Sequence, residues 1–246
     1  MDIYYHIKKS IAEGKRLLAV LIDPDKMALD KVEGVVTKIN QSIVTHIFIG
    51  GSEVDEGVTE TIVKAVKQNT KLPIVLFPGD VTQITNEADG ILFLSLISGR
   101  NPDYLIGKHV EAVSRLSKTQ LEVLPTGYIL IENLPAGRQG GKQTAVERVS
   151  KTEPLARNNV QHIVDTVKAG ELLGMQLIYL EAGSGATHPI EPEIISAVKD
   201  TLNIPLIVGG GIRNKQQTEA AYEAGADLVV IGTAFENNPH FFEHIN

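Results

Sequence analysis

The sequence contains no cysteine, which excludes disulfides, thiolate zinc sites and cysteine nucleophiles together. Nowhere does it hold a run approaching the ~18 apolar residues of a membrane span. The opening stretch MDIYYHIKKSIAEGKRLL also lacks the continuous apolar core of a secretion signal. A cytoplasmic location is therefore expected, with any membrane encounter limited to transient contact through an exposed apolar groove. Basic residues are the minority, 23 against 30 acidic ones, and the net charge of −7 argues against nucleic acid as a partner. A small phosphorylated ligand remains compatible, because neutral amides and a metal ion can hold one. No compositionally biased segment points to long disorder.

What is present is a repeat of short apolar runs followed by helical spacing. At 246 residues, 43% of them hydrophobic, the chain has the size of one eight-stranded α/β barrel. Ile3 to Glu13 reads as a lead-in helix ended by Gly14. Strands are expected at Leu17–Ile22, His46–Ser52, Pro73–Gly79, Gly90–Ile97, Leu121–Glu132, Leu177–Leu180, Pro205–Ile212 and Leu228–Ala234. Apolar residues at helical spacing lie between most of them. Asn101 and Pro102 have the order of an N-cap and first helical residue, and a last helix is expected around Pro239 to Ile245. Between the third and fourth strands only Asp80 to Asp89 intervene, too few for a crossover helix of a dozen residues or more. The fold expected is a single-domain (β/α)₈ barrel spanning 1–246 with its third helix replaced by a short segment; an open doubly wound sheet is the structural alternative. Asn133 to Arg157, centred on LPAGRQGGK, has no periodicity and is expected to be a mobile loop.

The stretch QLIYLEAGSGA, Gln176 to Ala186, carries the chemistry. A buried strand delivers Glu181 into a glycine-rich turn, and an acidic group so placed is costly unless something uses it. Gly183, Ser184 and Gly185 let backbone amides and a hydroxyl approach an anion. Gly209, Gly210 and Gly211, then Gly232 and Thr233, stand at the ends of strands seven and eight, where barrels of this kind commonly hold a phosphate. Glu181 either serves as a base beside that phosphate or forms a rim salt bridge with a cation such as Arg213. Asp23, at the end of the first strand, together with Ser52 suits Mg²⁺ that takes its other ligands from water and a diphosphate; the Asp23-Pro24-Asp25-Lys26 cluster reads equally as a helix N-cap, a role that fits Asp25 better. Arg100 and Lys108 read as solvated charge, with diphosphate binding as the lesser alternative. His240 and His244 lie four apart without a third ligand and read as surface residues. The absence of a DDxxD motif argues against a helical synthase that clamps diphosphate with several metal ions.

Taken together, LIDPDK, FIGGS, FLSLISGRNP, PTGYILI, YLEAGSGA, VGGGIR and VVIGTAFE resemble the geranylgeranylglyceryl phosphate synthase family, also called the PcrB-like family. The resemblance spans almost the whole chain. It implies a modified TIM barrel and an Mg²⁺-dependent prenyltransferase that joins the 3-hydroxyl of sn-glycerol 1-phosphate to a long prenyl diphosphate, geranylgeranyl on this branch. It further implies Asp23 and Ser52 as metal positions and Glu181 as the base. The glycerol phosphate positions would be Tyr179, Leu180, Glu181, Ala182, Gly183, Ser184, Gly185, Gly210, Gly211, Gly232 and Thr233. Homo-oligomers, dimers or hexamers, are what it implies for assembly. Two departures stand out. Leu21 stands where some bacterial members carry lysine, and NLPAGRQGGK looks like a loop insertion near 133–143. A phosphosugar isomerase or lyase barrel, or a non-catalytic phosphometabolite-binding barrel, would share the phosphate cradle.

Overall fold

In the computed structural model, residues 2–133 and 143–232 are described. Eight parallel strands close into one barrel in sequence order: β1 (Leu17–Ile22), β2 (His46–Ile49), β3 (Ile74–Leu76), β4 (Gly90–Leu96), β5 (Glu122–Leu130), β6 (Leu177–Glu181), β7 (Leu206–Gly209) and β8 (Leu228–Ile231). Closure is made by β1 against β8, with Leu17 opposite Leu228. The open-sheet alternative is thereby removed.

Parity along the strands separates two cores, since alternate side chains point to opposite faces. Leu17, Ala19, Phe48, Val75, Leu124, Tyr128, Leu177, Tyr179, Ile207 and Leu228 fill the barrel interior. Leu18, Val20, Ile47, Ile178, Leu180 and Val208 pack outward against the helices. Those helices are α2 (Val32–Asn40), α3 (Val58–Lys67), α4 (Lys108–Leu116), α5 (Ala145–Ser150), α6 (Val160–Leu172), α7 (Pro192–Lys199) and α8 (Lys215–Glu223), preceded by α1 (Ile3–Ala12). Helix α1 belongs to the interior instead: Ile3 and Ile7 join the inner core, and the Tyr4 amide donates to Glu122 at the foot of β5 at 2.8 Å. It closes the bottom of the barrel and leaves the C-terminal mouth open.

Between β3 and β4 stands only a 3₁₀ turn, Val81–Gln83, capped by Asp80, whose side chain accepts from the Thr82 amide. This is the short segment expected in place of the third helix. Asn101 caps as expected, its side chain accepting from Asp103, but the chain then makes a π-helical stretch, Asp103–Gly107, before α4 begins. Beyond residue 142 the region expected to be irregular holds helix α5. Its capping box, in which Thr144 and Glu147 satisfy each other's backbone amides, was the available sequence signal; six residues are too few for periodicity to show. The stretch 134–142, Thr233 and the expected last helix with His240 and His244 lie outside the described residues.

Candidate active site

Strand β6 sets the geometry. Leu177 and Tyr179 point inward, so Glu181 does too, at the mouth, and it is 5% exposed. Its Oε1 accepts from the Gly183 amide at 2.7 Å. Burial raises the Glu181 carboxyl to about 7, although the Gly183 amide and the Tyr179 hydroxyl both favour the charged form. A carboxyl so poised is half ionised near neutrality and suits a general base. Tyr179 and Tyr128 below it are held neutral: burial, then the Glu181 charge, pushes both phenols well above the ordinary range.

The glycine turns close around this carboxylate. Gly210 has φ +85°, and a Cβ there would meet Glu181 Oε1 and the amide nitrogens of Ala182 and Gly183. Only glycine permits that approach. One cavity of about 470 Å³ is lined by Asp23, Ser52, Tyr179, Glu181, Gly183, Ser184, Gly185, Gly210, Gly211 and Gly232. Residues far apart in the chain are thus brought to one opening. Leu180 and Ala182 differ: their side chains join the outer core, and only their backbone belongs to the turn.

Asp23 is itself the N-cap, accepting from the Asp25 amide at 3.2 Å, so the capping role falls on it and not on Asp25. Its Oδ2 also pairs with Lys26 at 2.7 Å. Its Oδ1 lies over Gly51, 3.0 Å from where a Cβ would stand, beside Ser52. The donor set fits Mg²⁺, which takes one or two carboxylates and completes its shell from water and phosphate oxygens. Among the described residues no group of three or more His, Cys, Asp or Glu side chains forms a fuller protein cage. The cavity is lined by four acidic side chains, Asp23, Asp25, Glu53 and Glu181, and two basic ones, Lys26 and Arg213. Arg213 forms no salt bridge with Glu181; its guanidinium donates to the Ala186 carbonyl at 2.8 Å and latches the β6 turn to the β7 turn.

A narrow apolar groove joins this cavity from the side. Val81, Ile84, Leu94, Tyr104, Ala112 and Val149 line it, between the 3₁₀ turn and α4. The missing helix is what leaves it open. Gly51, Ser52, Phe77, Tyr128 and Val146 line both spaces and mark the junction. Phe77, Tyr128 and Tyr179 pack there, with ring centroids 5.3 to 5.8 Å apart. Phe77, Tyr128 and Val146 escaped the sequence reading; for Tyr128 the two-residue parity of β5 was the signal. Lys108 lines the groove half-buried, tied to Asp80 at 2.7 Å and Glu111 at 3.1 Å, so it is more than solvated charge, whereas Arg100 is exposed, as expected, and donates to the Ile97 and Gly99 carbonyls of its own turn. Leu21 also lines the main cavity.

Fold and site together define a (β/α)₈ barrel whose mouth gathers glycine turns around a buried carboxyl and opens sideways into an apolar groove. The sequence profile of the PcrB family matches residues 9–245, and the chain belongs to that family. It is 54% identical to the geranylgeranylglyceryl phosphate synthase of Flavobacterium johnsoniae over 98% of this chain and 96% of that one. It is 38% identical to the enzyme of the same name from Thermococcus kodakarensis, over 96% and 89%. Among solved structures, it superposes with a TM-score of 0.90 and 28% identity on (S)-3-O-geranylgeranylglyceryl phosphate synthase from Thermoplasma acidophilum in complex with sn-glycerol-1-phosphate, covering 100% and 96% of the two chains.

Proposed function

We propose that this protein transfers a geranylgeranyl chain from its diphosphate to the 3-hydroxyl of sn-glycerol 1-phosphate, forming an ether and releasing diphosphate. The observation that carries this reading is the junction: a cavity with an anion cradle and a buried carboxyl opens directly into an apolar groove. A phosphosugar isomerase needs the first and has no use for the second. The names of the relatives support the same substrates.

In this reading the β6, β7 and β8 turns hold the glycerol phosphate. Cradle binding fixes the approach of the 3-hydroxyl, so the reacting oxygen reaches carbon 1 of the chain in one orientation. Glu181 takes the hydroxyl proton as the oxygen–carbon bond forms and the bond from carbon 1 to diphosphate breaks. Asp23 and Ser52 would hold Mg²⁺, which supplies the charge that stabilises the departing diphosphate. The groove residues bury the chain and keep water from the electrophilic carbon. The chain enters the groove by transient contact with a membrane surface; among the described residues no helix is long and apolar enough to cross one.

The direct test is incubation with glycerol 1-phosphate and a ladder of prenyl diphosphates, with product mass as the readout. A prenylglyceryl phosphate peaking at the geranylgeranyl length is expected. Turnover of phosphosugars alone would favour the isomerase reading, and binding without turnover a non-catalytic barrel. Asp23→Asn should raise the Mg²⁺ concentration for half-maximal activity by about tenfold or more, the scale of one lost charged ligand contact. An unchanged titration would remove Asp23 from the metal site. Homo-oligomeric assembly is part of the proposal: Ile106, Val110 and Val113 form an exposed apolar row at helical spacing, a surface that favours being covered. Val110→Glu is expected to shift the sedimentation coefficient toward that of a monomer.

A further inference from the structure

The cradle turn after β6 is anchored from behind by a side chain outside the cavity. Arg157 lies on the segment between α5 and α6, and its side chain is only 1% exposed. Its guanidinium donates through Nη1 to the Pro189 carbonyl at 2.8 Å and to Glu191 Oε2 at 2.6 Å, through Nη2 to the His188 carbonyl at 3.2 Å, and through Nε to the Glu132 carbonyl. Its own amide donates to the Glu132 carboxylate at 3.2 Å. Three chain segments therefore converge on one cation: the end of β5, the entry to α6 and the far side of the β6 turn.

One of those segments touches the cradle. Gly211 has φ +73°, and a Cβ there would stand 2.7 Å from the His188 carbonyl group and from the Pro189 nitrogen. The backbone that Arg157 grips is thus the backbone on which the β7 glycine turn rests. Glu181 is held differently, by β6 pairing and the Gly183 amide. A buried planar fork with several fixed acceptors is a geometry that lysine, with its point charge, cannot copy.

We infer that Arg157 is a positioning residue for the phosphate cradle, setting the spacing between the β6 and β7 turns through the His188–Pro189 backbone and thereby the affinity for the glycerol phosphate monoester. This rests on the proposed placement of glycerol phosphate in that cradle. Loss of Arg157 frees the turn on the phosphate side and leaves the general base and the chain groove in place. Misplacing a bound group by about 1 Å costs on the order of 100-fold, so even partial relaxation is measurable.

The experiment is steady-state kinetics of full-length Arg157→Lys and Arg157→Ala, each substrate varied separately. The Michaelis constant for glycerol phosphate should rise about tenfold or more, with the alanine variant worse than lysine, while that for the prenyl diphosphate and kcat at saturation change by less than about threefold. Guanidinium ion at sub-denaturing concentration should partly restore the alanine variant and leave the wild type unchanged. Equal losses in every parameter, or no loss in glycerol phosphate binding, would overturn the inference. Should Arg157→Ala not fold, Glu191→Gln retains the carbonyl contacts and is expected to leave glycerol phosphate binding within about threefold of wild type; a tenfold loss there would put the anchor in the ion pair instead. Ser184→Ala distinguishes the two levels. If it weakens glycerol phosphate binding and the Arg157 variants do not, positioning fails alone; if neither does, the cradle assignment fails.

Discussion

Glu181→Gln lowers kcat by about 10²–10⁴, the range for loss of a positioned general base, while the dissociation constant of glycerol phosphate stays within about threefold. Single-turnover kinetics and equilibrium binding measure the two separately, and equal losses in both would assign Glu181 to binding alone. The same carboxyl sets the pH profile. Its ionised form is the base, so the wild-type rate should rise with pH through about 7 and then level off. The glutamine variant should lose that ascending limb.

The same substitution should also make the fold more stable. The folded-state value of about 7 stands above the ordinary 4.5, because burial penalises the charge. Below 4.5 the group is protonated in both folded and unfolded chains and contributes no cost. As pH rises through about 7, the folded protein must either retain a proton the unfolded chain has released or bury a charge, and stability is lost. Above that window the cost is about 3 kcal/mol. Glu181→Gln carries no such cost, so denaturant unfolding at pH 8 should show it more stable than wild type by that order, with the difference vanishing near pH 4. A difference constant with pH would mean that the carboxyl is not titrating from a buried site. Gain of stability with loss of turnover is the expected signature of a group retained for chemistry.

The second large effect is expected at Gly210. Gly210→Ala forces a Cβ into Glu181 Oε1 and the Ala182 and Gly183 amides at a backbone angle that L residues rarely adopt. Turnover and glycerol phosphate affinity should fall together by about 10² or more, with about 1–3 kcal/mol of stability lost to strain. Gly14→Ala is the control. Gly14 has a similar φ of +71° but nothing within 4 Å of its would-be Cβ, and it follows the C-cap of α1, Glu13, at the opposite end of the barrel. It should cost about 1 kcal/mol and leave kinetics unchanged. Matching kinetic losses in both variants would show that backbone strain, and not contact with the carboxylate, explains Gly210.

The sequence by itself determined the barrel, the short segment after β3 and the glycine turns at the ends of β6 and β7. These are local properties: apolar runs need covering on both faces, glycines mark turns, and ten residues are too few for a crossover helix. The inward direction of Glu181 followed from the two-residue period of β6. Only the tertiary structure decided what closes around it. The junction of Phe77, Tyr128 and Val146 joins β3, β5 and α5, and no spacing along one chain reports which strands become neighbours across a barrel mouth. Asp23 over Gly51, Lys108 paired with Asp80, and Arg157 behind the β6 turn are meetings of the same kind. An apolar side chain that lines a groove and one that fills a core are alike in sequence, because what separates them is the missing neighbour: here the helix that does not follow β3.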